Sequence, residues 1–418
     1  MIMMRHRSAP PSAPRLSELD ALRGIAAFLV LVHHARVLGL DPRPFGDPLL
    51  DRGVHMLMHF SPLRVLEFGR EAVLFFFVLS GYVLTRALLR NGSPGLLAFA
   101  AQRTIRLMLP VAASVLLSVG LFYALLGDPA ALPEALRGRE DIGIWQEAPA
   151  LLDVLRESAL LRTQSDPVEM NPVLWSLVHE WRLTLFLPLV LLFHGRIWWL
   201  LALGCLGMAL GAMGSGSENR VMLGPQFHST VVASVYFTLS IASGAALALA
   251  GPPPALTRGQ RLAGGIAVLA LFGLASDLAA YLASVLLIVV AQQPGAFRRF
   301  LRSAPLVWLG HVSYSLYLVH VPVLAACVVA LHGTLPLWAS LVVGLVASLA
   351  AAEAMRRLVE APSRDLARWT ERRLRRRADP GGRAAATGAR SEAGRRGPTW
   401  SGEGGLFVDL GGGGGRRR

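Results

Sequence analysis

Apolar residues run along this chain in long stretches, and polar residues gather in the short connections between them. A bilayer core about 30 Å thick needs about 20 mostly apolar helical residues to cross it. Ten stretches meet or approach that length: 21–40, 71–89, 107–127, 173–193, 196–213, 227–250, 261–275, 277–292, 305–331 and 335–357. The seventh and eighth are short and parted only by Ser276 and Asp277, so the number is nine or ten. The pattern predicts an all-α fold, a polytopic transmembrane helix bundle of about ten spans. A cytoplasmic N-terminal segment (1–18) precedes the transmembrane domain (19–362), and an Arg/Gly-rich disordered cytoplasmic tail (363–418) follows it.

The connections set the orientation. With the N-terminus inside, the inner connections carry Arg86, Arg90, Arg103 and Arg106, then Arg196, then Arg258 and Arg261, then Arg298, Arg299 and Arg302, then the tail. The stretch 128–172 instead carries nine acids, Asp128 and Glu169 among them, against four Arg. Ten spans with both termini cytoplasmic satisfies the positive-inside rule at every loop. No small-x-small cleavage site follows the first apolar stretch and His33-His34 interrupts it, so it is expected to stay as a helix.

Composition sharpens this picture. The 418 residues are 53% hydrophobic and only 16% charged, with a mean hydropathy of +0.49, whereas soluble domains carry about a quarter charged residues. An ordinary soluble enzyme and a disordered chain are both excluded. All 41 basic residues are Arg, and 14 of them lie beyond residue 360 with six acids, so the excess of +14 is largely local and does not point to nucleic acid. Cys205 and Cys327 lie in apolar runs and read as small core residues, without a disulfide framework or a Cys-based metal site. Gly207 and Gly211 fit small-residue helix packing. His55 and His59 have metal-ligand spacing but no third ligand, and no metal is expected there.

Ionisable groups inside a membrane cost roughly 2.5 to 3.5 kcal/mol each on insertion scales, so each needs a reason. Arg23 opens the first span, and His34 lies about 16 Å further along and close to three whole turns on. The two share a face, while His33 points about 100° away. Counted from the span ends, His34, Glu180, Ser80 and His320 all fall in one polar layer in the outer half of the membrane, about 10 to 13 Å below the outer surface for the first three. Taken singly, His34 reads as a helix-packing hydrogen-bonder, Glu180 as half of an ion pair and Ser80-Gly81 as small-residue packing. Together they imply a water-filled cavity or a reaction site. Arg103 and Arg106, three apart, share a face at the inner start of the third span. They either carry the inside-positive signal or, with Arg23, form a phosphate site beneath the polar layer, since Arg forks bind phosphate bidentately.

Six stretches carry a family resemblance: Leu19-Asp20-Ala21-Leu22-Arg23-Gly24 through His34; Phe76-Phe77-Val78-Leu79-Ser80-Gly81; Arg103-Thr104-Ile105-Arg106-Leu107-Met108-Leu109-Pro110; Asn171-Pro172-Val173-Leu174-Trp175-Ser176-Leu177-Val178-His179-Glu180; Ser313-Tyr314 through Tyr317-Leu318-Val319-His320; and Glu360-Ala361-Pro362. In this order the chain resembles the acyltransferase-3 family of integral-membrane O-acyltransferases, in the form without a fused esterase-like domain. It departs at Leu183-Thr184, where an aromatic pair is usual, and at Glu71, displaced from the position just before Phe-Phe.

The resemblance implies transfer of an acyl group, commonly acetyl, from acyl-CoA to a hydroxyl of a carbohydrate or glycosylated acceptor. It implies a multi-pass protein of the cell inner (plasma) membrane. His34 and Glu180 are the expected catalytic pair, with Glu180 orienting His34 or gripping the acceptor. Arg23, Arg103 and Arg106 are expected to bind the donor, and Ser80, Trp175, Tyr317 and His320 to line the substrate site. Acyl-CoA is a co-substrate rather than a resident cofactor, and the partners are a carbohydrate or glycolipid acceptor and membrane lipid, not nucleic acid. Two other readings stay open: a lipid- or peptide-acylating transferase, and a transporter that uses His34 and Glu180 as a proton relay.

Overall fold

The computed structural model describes residues 16–39, 67–91, 95–133, 144–163, 169–215, 221–223, 226–274 and 276–378, with isolated positions between them. His55 and His59 lie outside the described residues. The described chain is helical, with no strand and one isolated bridge between Ile144 and Glu169. In order it forms α1 (Ser17–Gly39), α2 (Gly69–Asn91), α3 (Leu96–Leu125), α4 (Leu151–Ser158), α5 (Leu174–Leu185), α6 (Ile197–Ser215), α7 (Phe227–Tyr236) and α8 (Thr238–Leu249). Then follow α9 (Arg258–Gly273), α10 (Asp277–Ala291), α11 (Ala296–Leu301), α12 (Ala304–Ala330), α13 (Leu337–Met355) and α14 (Ala361–Ala378).

Each expected span has helix at its place, but among the described residues six helices are long and apolar enough to cross a membrane, or seven if a bent pair is one span. The bent pair is α5 with the 3-10 turn Leu187–Phe193, at 48°. Pro188 begins that turn, and its missing N–H and fixed φ break the helical ladder there. α7 and α8, interrupted at Phe237, together make one long span, whereas α6 and α10 are shorter apolar helices.

Part of the stretch from residue 363 that was expected to be a disordered tail is helical. After α13 a π-helical turn, Arg356–Glu360, leads directly into α14, so residues 363–378 are helical. The ring of Pro362 would clash with the carbonyl of Leu358, and the wider turn just before it accommodates that conflict. Pairs three or four residues apart, Glu353 with Arg356 and Glu360 with Arg364, knit the two helices together. Residues 379–418 lie outside the described chain.

Two close crossings hold the centre. α12 packs against α1, α3 and α13, and much of it, Val312 and Leu316 to Val321 included, is buried. Gly24 and Gly310 let α1 and α12 touch: a Cβ on Gly310 would lie 2.2 Å from the carbonyl oxygen of Asp20. Likewise α2 and α8 meet at Gly81 and Gly244, where a Cβ would collide with the backbone of Ile241 or Val78. Gly207 and Gly211 do pack closely, against Thr238 and Tyr236. Cys327 is half-buried, but Cys205 is exposed on α6 rather than in the core.

The segment before α5 is drawn into the bundle by polar contacts. The buried carboxylate of Glu157 in α4 accepts from the backbone N–H groups of Met170 (3.0 Å) and Asn171 (2.8 Å). Asn171 Nδ2 in turn donates to the carbonyl of Leu318 on α12 at 2.7 Å, and Ser118 on α3 donates to the carbonyl of Met170 at 2.6 Å. The Trp145 indole N–H donates to Ser118 at 3.0 Å and its ring is fully buried. Hence α5 starts beside mid-helix positions of α3 and α12.

Candidate active site

The polar groups form two tiers. In the tier nearer the Arg-rich end, Arg103 Nη2 donates to Glu180 Oε1 at 2.8 Å and Arg103 Nε donates to Thr184 Oγ1 at 3.2 Å. Ser80 donates to the same Glu180 oxygen at 2.9 Å. Thr184, one of the residues that departs from the family pattern, therefore helps hold Arg103. Across the cavity, Arg23 Nε donates to Ser313 Oγ at 2.8 Å and its Nη2 to the Gly310 carbonyl at 2.9 Å, with Asp20 3.5 Å away. Glu360, on the π turn, accepts from Ser315 at 2.6 Å and lies 3.6 Å from Arg364.

Arg106 is the exception in this tier. Its guanidinium makes no ion pair or hydrogen bond with any described residue, and the like charges of Arg103, Arg23 and Arg364 face it along with Glu360. A cation so surrounded favours an anion beside it.

These groups line a cavity of about 440 Å³. Six Arg (23, 86, 90, 103, 106 and 364) and three acids (Asp20, Glu180, Glu360) face it, whereas Val73, Phe76, Phe77 and Tyr317 line its other end. From Val73 to Arg90 along α2 the lining extends about 25 Å. The cavity is thus elongated, cationic at one end and apolar and aromatic at the other.

The second tier lies beyond the aromatic end. Tyr317 packs edge-on against Phe76 with ring centroids 5.8 Å apart, and 5.9 Å separates it from the His320 ring. The Tyr317 hydroxyl is 2.7 Å from Ser176 Oγ and donates to the Val173 carbonyl at 3.0 Å. His320, fully buried, sets Nε2 3.2 Å from Nδ1 of His34. His33 packs instead against Gly69 at the start of α2. Ser80 is eleven residues further along α2 than Gly69, about 16 Å below it.

The single polar layer expected from span ends is therefore corrected. His34 and His320 do lie together, but Glu180 and Ser80 sit one tier lower, beside Arg103. The estimate failed because α5 starts deep inside the bundle rather than at a membrane surface. The pairing of Glu180 with His34 is corrected with it: Glu180 is held by Arg103 and Ser80, and the partner of His34 is His320. Arg23, Arg103 and Arg106 do share one cavity, and Ser80 and Tyr317 also line it. Trp175 does not line it and packs against His179, Phe237 and the guanidinium of Arg70. Sequence reasoning passed over Glu360, Arg364, Arg86, Arg90 and Phe76 as site residues. Glu360 and Phe76 stood in quoted motifs, and Arg86 and Arg90 had been counted only as topology signals. Among the described residues no group of three His, Cys, Asp or Glu side chains is arranged to hold a metal.

A bundle of long apolar helices around a buried cationic cavity, with a histidine pair beyond the cavity's aromatic end, defines an integral membrane protein. The acyltransferase-3 family model, described as an acyltransferase domain, matches residues 16–355, and the chain belongs to that family. It is an acyltransferase. No curated protein and no solved structure matched the chain.

Proposed function

We propose that this membrane O-acyltransferase takes its acyl group, acetyl first, from cytoplasmic acyl-CoA and passes it to a hydroxyl of a carbohydrate or glycosylated acceptor. The observation that carries the donor assignment is the elongated cavity with Arg106, which makes no ion pair or hydrogen bond among the described residues, at its cationic end. CoA is a phosphate-bearing anion with a long flexible arm. With its phosphates among Arg23, Arg106 and Arg364, the arm would run toward Phe76 and Tyr317 and bring the thioester to the His34–His320 pair. His34 then serves as general base for the acceptor hydroxyl. Glu180 acts on the donor side, by fixing Arg103. The acceptor class rests on the family resemblance.

The Arg-rich end of the cavity fits the cytoplasmic face under the positive-inside rule. Together with the short apolar helices α6 and α10 and the bent α5, it supports about ten spans with both termini cytoplasmic, in the cell inner (plasma) membrane. A proton relay between His34 and Glu180, as a transporter would need, has less support, because the two are held by different partners.

The test is transfer from radiolabelled acetyl-CoA by the protein reconstituted in lipid vesicles. Arg106→Lys keeps the charge and loses the fork; it should raise the donor KM about tenfold, roughly 1.4 kcal/mol, with kcat little changed. An unchanged donor KM would return Arg106 to a topology signal. Substrate flux without acetyl-CoA consumption would replace the transferase reading by the transporter.

A further inference from the structure

The hydrogen bonds around the two imidazoles have only one consistent polarity. His320 Nδ1 lies 3.0 Å from the carbonyl oxygen of Leu316, one turn earlier in α12. A carbonyl oxygen only accepts, so this nitrogen carries the hydrogen, and Nε2 of the neutral ring is left with a lone pair. That Nε2 faces His34 Nδ1 at 3.2 Å. The same His34 Nδ1 lies 2.9 Å from the carbonyl oxygen of Val30. Two acceptors converge on it, so His34 Nδ1 must carry the hydrogen. The opposite polarity would set the lone pair of His34 Nδ1 against that of the Val30 oxygen. A carbonyl at each end of the chain therefore fixes both tautomers.

We infer that His320 is a positioning residue, not a substrate-binding one: accepting from His34 Nδ1–H alongside the Val30 carbonyl, it orients the His34 ring and leaves His34 Nε2 as the nitrogen that takes the acceptor proton. This rests on the reading of His34 as general base. In the step that follows, the acceptor hydroxyl gives its proton to His34 Nε2 while its oxygen bonds to the thioester carbonyl carbon. The carbon–sulfur bond then breaks, and the CoA thiolate takes the proton back from Nε2, leaving ester, free thiol and neutral His34. While His34 is cationic, its Nδ1–H bond to His320 Nε2 is charge-assisted. The neighbour is neutral, in contrast to the carboxylate that plays this part in serine hydrolases. An uncharged orienter suits a site from which the carboxylate of Glu180 is withheld by Arg103.

Three substitutions test it in reconstituted vesicles. The amide oxygen of His320→Gln takes the place of Nε2 and can accept from His34, so this variant should keep kcat within about threefold of wild type. In His320→Asn the oxygen takes the place of Nδ1 and falls short, and in His320→Leu there is no acceptor. Both should lose roughly 10- to 100-fold in kcat, with the KM values of donor and acceptor within about twofold. The Gln and Asn variants are alike in polarity, so the comparison survives if the Leu variant misfolds. Equal kcat in the Gln and Asn variants, or a raised acceptor KM in both, would overturn the proposal. His34→Ala, assayed in parallel, separates the two levels: an active His34→Ala removes the base reading itself. An inactive His34→Ala with no Gln rescue removes only the role of His320.

Discussion

The two ends of the buried site solve opposite electrostatic problems. The Arg-rich end gathers six guanidiniums around three carboxylates and leaves Arg106 without an ion pair or hydrogen bond among the described residues. At the other end stand two imidazoles, tied to each other and to backbone carbonyls, with no carboxylate among the described residues in hydrogen-bond contact. On the reading proposed above, one end would hold an anion and the other would keep a proton acceptor neutral until it is used. Binding and chemistry are therefore separable, and substitutions at the two ends should act on different kinetic constants.

The sharpest separation is expected at His34. His34→Ala should lower transfer by roughly 10² to 10⁴ fold, the usual range for a lost general base, while the donor still binds with unchanged affinity in an equilibrium assay. His33→Ala, on another helix face against Gly69, should cost less than about fivefold. Equal losses in the two variants at equal protein levels would erase the distinction between them.

At the opposite end the largest response belongs to stability. Glu180→Gln strands Arg103, 5% exposed, without its ion pair. Breaking a buried pair costs about 3 to 5 kcal/mol, and solvent in the cavity brings this toward the lower figure. Removing Arg103 as well, as Arg103→Gln, should recover part of the loss. A double-mutant cycle on thermal midpoints should give coupling above about 1 kcal/mol, whereas additive losses would mean that the pair contributes nothing. A smaller effect, about tenfold in donor KM, is expected of Arg106→Lys, as stated above.

The mildest effect lies outside the spans, at Glu157. Burial, opposed by Arg162 and by the N–H groups of Met170 and Asn171, pushes its carboxyl up to about 7, and Glu169 adds to the rise. Because the folded value lies above the ordinary carboxylate value of 4.5, the protonated form favours the fold. That contribution is complete below about pH 4.5 and is lost as pH rises through about 7. The thermal midpoint should therefore drift downward between about pH 5 and 8, and Glu157→Gln should flatten the drift. An unchanged slope in the variant would show that the carboxylate stays ionised throughout.

Much of this was legible in the order of residues. The apolar runs located the long helices of the bundle, though not α4, α11 or α14, and the spacing of Arg23 and His34 set both on the face of α1 that meets α12, at Ser313 and His320. The motif residues Arg103 and Glu180 were singled out, but their contact was not. Depth was counted from the ends of apolar runs, and that count assumes each run starts at a membrane surface. At α5 the assumption fails, since Glu157 and Asn171, polar residues in a stretch read as a loop, pull its first turn inward. The same limit applied to His320: its level was found, but whether it faced His34 or a substrate depends on the rotation of α12, which the Gly24–Gly310 crossing sets.

That crossing also makes a ruler. α1 and α12 touch backbone to backbone, Arg23 is pinned to Ser313 and Gly310 on one side of the contact, and His34 is pinned to His320 on the other. The span between Arg23 and His34, about 16 Å along α1, the proposed anion grip and base, is thus fixed by helix geometry. A thioester whose arm is cut short should still occupy the cationic end and compete with acyl-CoA, yet present its carbonyl too far from His34 to react. Donor choice by this enzyme would then be a matter of length before it is one of affinity.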